Sequence, residues 1–129
     1  EVLGVTPEQF FSQQPLEQKI VYNEEESTLY YDEEHGYELK WLIPASNEKE
    51  MEPVIITFDK NGEYKTFEPS LSETFIYVID GSIRLILGEA TYIAKKGQTM
   101  YYQATEPHQI SNNGRGKSRA LIVATESYL

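Results

Sequence analysis

After residue 14 the apolar positions fall mainly on alternate residues, in short runs broken by turn residues. Residues 37–43, YELKWLI, place Tyr37, Leu39, Trp41 and Ile43 on one face of a strand. Residues 51–59, MEPVIITFD, predict a second strand, and 74–79, TFIYVI, a third dense in β-branched and aromatic side chains. SIRLIL at 82–87 puts Ile83, Leu85 and Leu87 on one face, and strands over 90–94, 99–103, 108–111 and 118–125 complete the set. Asn61-Gly62 and Asp80-Gly81 read as tight hairpin turns, since such turns need positive φ. The first of them would let residues 64–67 pair back along the preceding strand. A strand-like run at 19–22 follows a break at Gln14-Pro15, because the residue before a proline is pushed out of the helical region. Many short strands with closely spaced turns indicate a sandwich or barrel.

The first 14 residues differ. Thr6 suits an N-cap, Pro7 the first helical position and Gln9 the reciprocal capping position, with Phe10 and Phe11 as an apolar patch. This predicts a short N-terminal helix over 1–14, ahead of a single domain over 15–129.

Composition narrows the function. At 129 residues the chain is long enough for one core, and it contains no cysteine. No apolar run approaches the roughly 20 residues that cross a bilayer, and no leader resembling a signal peptide is visible, so a cytoplasmic protein without membrane contact is expected. Net charge is −10, and residues 1–70 carry 16 acidic against 5 basic side chains. Such a surface repels a phosphate backbone, so the domain is not expected to grip DNA itself. Acidic residues around Leu29-Tyr30-Tyr31 read as a solvated rim, and His35 as an exposed loop histidine.

Two stretches carry a family pattern. Residues 62–81, GEYKTFEPSLSETFIYVIDG, run from one turn glycine to another, and residues 97–112, GQTMYYQATEPHQISN, lead from Gly97 to His108 and Asn112. In spacing these resemble the paired motifs of the cupin superfamily. The resemblance covers roughly residues 50–126 and implies an all-β, cupin-type jelly-roll barrel. The family's two histidines of the first motif correspond to Glu68 and Ser70, its glutamate to Thr74, and the proline and glycine of the second to Gln103 and Thr105. Of the four metal-holding positions only His108 keeps its residue type, so no metal or other cofactor is expected.

By the same resemblance Glu68, Ser70, Thr74 and His108 face one cavity. Strand alternation adds Ile76 and Val78 beside Thr74, Tyr101 and Gln103 on one strand, and Ile110 beyond His108. Glu68, Ser70, Thr74, Tyr101, Gln103 and His108 are thus the expected ligand-binding set, with no residue assigned to catalysis. A carboxylate facing an imidazole could exchange protons, but a pocket for a small molecule is preferred. The segment LGV followed by TPEQFF also resembles the end of a lambda-repressor-type helix-turn-helix domain. Together the two resemblances imply the effector and dimerisation domain of a bacterial helix-turn-helix transcriptional regulator. They imply a homodimer, a small-molecule effector, and operator DNA contacted only through a domain preceding residue 1. The alternatives are a free-standing cupin enzyme, such as an isomerase or metal-dependent oxygenase, and a purely structural dimerisation module.

Overall fold

The computed structural model describes residues 18–126. The helix expected over 1–14 lies outside them. Among the described residues the regular structure is nine strands and two 3-10 turns. The strands are β1 (Thr28–Asp32), β2 (Tyr37–Trp41), β3 (Met51–Phe58), β4 (Glu73–Asp80), β5 (Ser82–Leu87), β6 (Ala90–Lys95), β7 (Thr99–Gln103), β8 (His108–Asn112) and β9 (Ser118–Thr125). They form an antiparallel six-stranded sheet, ordered β1-β2-β3-β9-β4-β7, and a three-stranded sheet, β6-β5-β8. The described residues are all-β, as the alternation predicts. No strand forms at 19–22.

Alternation explains the core. Val54, Ile56 and Phe58 of β3, Ile76 and Val78 of β4 and Ile122 of β9 point into the space between the sheets. Ile83 and Leu85 of β5 and Ile110 of β8 meet them from the other side. Moving any of these strands by one residue would turn its apolar set to solvent, so burial fixes the register.

Two expected hairpins are instead crossings between sheets. Asp80-Gly81 joins β4 to β5, which belong to different sheets. In the other, the Gly62 amide donates to the Asp59 carbonyl (2.8 Å), so the central residues are Lys60 and Asn61, and positive φ falls on Asn61 (65°). The chain then leaves β3 rather than pairing back along it. The amides of Tyr64 and Phe67 donate to the carbonyls of Ile110 (2.9 Å) and His108 (2.8 Å) on β8. Local turn residues revealed that the chain bends, but which strand receives it depends on distant partners.

The first motif's glycines are sites of close approach. A Cβ at Gly62 would stand 2.2 Å from the Gly36 carbonyl oxygen. At Gly81, where φ is +77°, a Cβ would meet the Ser118 hydroxyl at 2.1 Å. Both crowd around Asn112, whose side-chain amide makes four hydrogen bonds. Its Nδ2 donates to the carbonyls of Asp59 (2.8 Å) and Gly116 (2.7 Å), and its Oδ1 accepts from the Gly114 amide (2.7 Å) and the Ser118 hydroxyl (2.8 Å). Its backbone amide donates to the Gly62 carbonyl (2.9 Å).

At the β1–β2 turn, Asp32 accepts from the His35 backbone amide (3.0 Å) and stands 2.9 Å from its Nδ1. The Asp32 carboxylate raises the pKa of His35, and the His35 amide and ring lower that of Asp32.

Asn112→Ala leaves the partners of the side-chain amide to find new ones. A stability loss of about 3 kcal/mol or more is expected in urea unfolding, since each buried group left unpaired costs roughly 1–3 kcal/mol. A second expectation concerns pH. The histidine pKa is raised by folding, so its contribution is full below the unfolded value of about 6.5 and fades as pH rises through the higher folded value. In an NMR titration His35 should titrate above that ordinary value, and Asp32→Asn should bring it back down.

Candidate functional site

His108 opens β8 and is 1% exposed. Its Nδ1 lies 3.0 Å from the Glu106 carbonyl, which can only accept, so Nδ1 carries the hydrogen and a neutral ring has its lone pair on Nε2. Phe67 stacks on the imidazole at 5.2 Å and 22°, and Tyr102 meets it edge-on at 5.6 Å. Beyond Phe67 the contacts continue to Tyr64 at 5.2 Å and from there to Tyr37 at 5.0 Å. His108 thus sits within an aromatic row in the barrel interior.

The expected set divides. Thr74 is fully buried on the inner face of β4, between the sheets with His108. Ser70 is half-buried, and its hydroxyl accepts from the Ser72 amide (3.1 Å), shaping the loop before β4. Glu68 is exposed rather than facing a cavity. The adjacent Phe67 takes the inward position on His108, and the extended backbone turns the next side chain outward.

Tyr101 and Gln103 do not face inward. Tyr101 is 67% exposed, Gln103 is exposed, and the Tyr101 hydroxyl donates to the Glu73 carboxylate. The register shows why. Thr74 stands opposite Tyr102, and Ile76 opposite Met100, so the inward positions of β7 are the even-numbered ones. Adjacent tyrosines gave the sequence no phase. Ile76, Val78 and Ile110 are buried on the inner face as expected.

A residue outside the expected set completes the interior. Glu52 of β3 is 3% exposed and accepts from the Ser46 hydroxyl (3.2 Å). It is paired with Ala124 of β9, which is paired with Thr74, which is paired with Tyr102. These four therefore stand abreast on one face of adjoining strands. Ala124 contributes only a methyl group between the carboxylate and the hydroxyl. Glu52 was detectable in principle: it shares the period-two face of Val54, Ile56 and Phe58. Interior polar chemistry thus comes from a carboxylate, a threonine hydroxyl, a phenol and an imidazole.

The sequence signature of the Cupin domain family matches residues 54–124, more than half of the chain. The chain belongs to the cupin family. No curated protein matches it significantly by sequence. Among solved structures, an HTH_3 family transcriptional regulator from Vibrio cholerae superposes with a TM-score of 0.64 at 14% identity. That match covers 79% of this chain and 56% of the regulator, so the chain spans little more than half of that protein. The cupin domain of an XRE family transcriptional regulator from Enterobacter cloacae matches at 0.62 and 13% identity, over 70% of this chain and 96% of that one. The polyketide cyclase RemF from Streptomyces resistomycificus matches at 0.65 and 20% identity, over 85% and 81%. Enzymes and regulators therefore share this fold, and the likeness alone does not separate them.

Metal-binding cupins use histidines and a carboxylate, and a zinc or iron site usually takes three such ligands. The positions here do not fit. His108 is the imidazole, Glu68 turns to solvent, and Ser70 and Thr74 offer hydroxyls, which are poor ligands for those ions. Among the described residues no three His, Asp or Glu side chains are grouped to hold a metal ion. Calorimetric titration of the protein, stripped with chelator, should accordingly show no stoichiometric Zn²⁺ or Fe²⁺ binding that His108→Ala abolishes. Tight binding at one ion per chain, lost in that variant, would contradict this account.

Proposed function

We propose that this cupin barrel is the small-molecule-sensing and dimerisation part of a bacterial helix-turn-helix transcriptional regulator. The observation that carries the proposal is the interior of the barrel. It keeps buried polar groups at Glu52, Thr74, Tyr102 and His108 while lacking the ligand set that gives cupins their metal chemistry. Buried polar groups within an apolar wall suit the recognition of a bound molecule. The two regulator structures that share the fold support the same assignment. So does the net charge of −10, which leaves DNA contact to a separate domain.

In this scheme the protein acts as a cytoplasmic homodimer, matching the two-fold symmetry of an operator. The effector binds one dimer arrangement more tightly than another and shifts the balance between them. Thr74 and His108 belong to its site, joined by Glu52 and Tyr102. Among the described residues no helix is long and apolar enough to cross a membrane. The RemF likeness keeps a free-standing cupin enzyme, an isomerase or a metal-dependent oxygenase, as the competing assignment. A catalyst needs His108 as a proton carrier, whereas a sensor needs it as a wall of the site.

Sequencing the coding DNA upstream of Glu1 tests the assignment directly. An in-frame helix-turn-helix unit is expected, and the full chain should then shift a fragment of its own promoter. An initiator Met at or just before Glu1 would end the regulator proposal. With the full chain in hand, a metabolite panel should contain a compound that raises Tm and alters promoter affinity. Ligand at 100 times its Kd stabilises the folded state by about 2.7 kcal/mol.

A further inference from the structure

The two sheets are not closed by hydrogen bonds on every side. β6 ends one sheet and β7 ends the other, and the chain passes between them through Lys96, Gly97 and Gln98. Between these two edges lies a recess of about 420 Å³. Leu85 and Leu87 of β5 and Tyr92 of β6 form one wall, and Met100, Tyr101 and Tyr102 of β7 the other. Tyr92 is 51% exposed, although the pairing of β5 with β6 sets it beside the buried Leu85. Half of a large ring is thus held at the opening of an apolar space. The inner end is Tyr102, which touches His108 at 5.6 Å between ring centres. The recess thus reaches from solvent to Tyr102, whose ring packs edge-on against the buried His108.

We propose that this slot is the effector's entry and binding site, and that it takes a neutral, planar, ring-bearing small molecule carrying a hydrogen-bond acceptor. The volume lies within the roughly 300–1,000 Å³ of small-molecule sites. The described lining contains no charged side chain, so an ionic ligand would lose its hydration there without a counter-charge. Tyr92 and Tyr102 stand on opposite walls, and tyrosine rings favour offset or edge-on contact with another ring. The polar end is Gln98 and Thr99. Gln98 Oε1 accepts from the Lys95 amide (2.7 Å), which holds the side chain in place and leaves the Nε2 hydrogens to donate to an acceptor on the ligand. A second copy of the chain would need a broad matching surface of roughly 800 Å² per partner. A recess between two strand edges fits a compact molecule better.

This inference rests on the sensing role proposed above, shares Tyr102 with the site proposed there, and places the ligand between β6 and β7 rather than at Glu68 or Gln103. Prodan, a neutral planar naphthyl ketone whose emission shifts to the blue in apolar surroundings, is a suitable probe. Added to the full chain, it should bind saturably at one per chain. Tyr92→Arg brings a charge to the opening of the slot, and Thr99→Trp brings bulk to its exposed rim. Each should weaken binding by about tenfold or more while leaving the far-ultraviolet circular dichroism unchanged. Leu29→Glu, on the separate exposed apolar surface of β1, should leave binding intact. Unaltered affinity in both slot variants overturns the proposal, as does loss in Leu29→Glu instead. One dye per two chains with dye-dependent dimerisation assigns the slot to a second copy and also overturns it. Failure here leaves the upstream-sequence result untouched, so the slot and the regulator assignment can fail separately.

Discussion

The barrel is held at one end by a single side-chain amide. Asn112 joins the turn after β3, the loop before β9 and the Ser118 hydroxyl, using both of its donor hydrogens and accepting twice. Ser118 in turn accepts from the Ser82 amide (3.0 Å), which fixes the crossing at Gly81. The close approaches at Gly62 and Gly81 follow from this convergence, since any Cβ there would enter space the hydrogen-bonded groups occupy. The spacing between motif glycines and the asparagine is therefore a record of a structural knot. It persists whether or not the barrel handles a metal.

The other end of β8 is where the chemistry has changed. His108 and Phe67 exchange backbone hydrogen bonds of 2.8 and 3.0 Å, bringing residues 63–67 alongside β8 where no full strand forms. Phe67 then covers the imidazole with its own ring. The aromatic face lies against the imidazole, and the neighbouring Glu68 is turned to solvent. One apolar ring in the inward position thus links His108 to the aromatic row through the interior. The carboxylate that remains inside comes from a different strand, through Glu52.

Much of the fold was legible because its strands obey a local rule. Alternation in residues 51–59 and 74–87 follows from burial on one face, and the structure places those strands within a residue or so of the expected bounds. Thr74, Ile76 and Ile110 were oriented correctly because the motif spacing supplied a phase. On β7 it did not. Tyr101 and Tyr102 are equally apolar, and only pairing with Thr74 chooses between them. The turns at Asn61 and Gly81 were visible for their backbone demands, but their destinations depended on sheets that assemble from distant residues. Glu52 lies on the buried face of β3, but the residue type gives no sign of it, since a carboxylate is rarely buried.

The topology also constrains how a bound molecule could influence anything outside the barrel. The slot is bounded by β7, one edge of the six-stranded sheet, and β1 is the other edge, nearest in sequence to the N-terminal residues. Between them lie four hydrogen-bonded strands, with Val54, Ile56, Ile76 and Ile122 packed beneath. A close-packed sheet of this kind does not deform smoothly. A ligand at β7 can act at β1 only by favouring one of two discrete arrangements, and only by as much as its affinity for them differs. Leu29, Tyr30 and Tyr31 leave the β1 edge apolar and exposed, with acidic residues on either side. An unpaired strand edge of that composition is a surface that another chain can cover. A sensor built on this sheet would therefore carry its response in how two copies meet, while the barrel itself stays nearly unchanged.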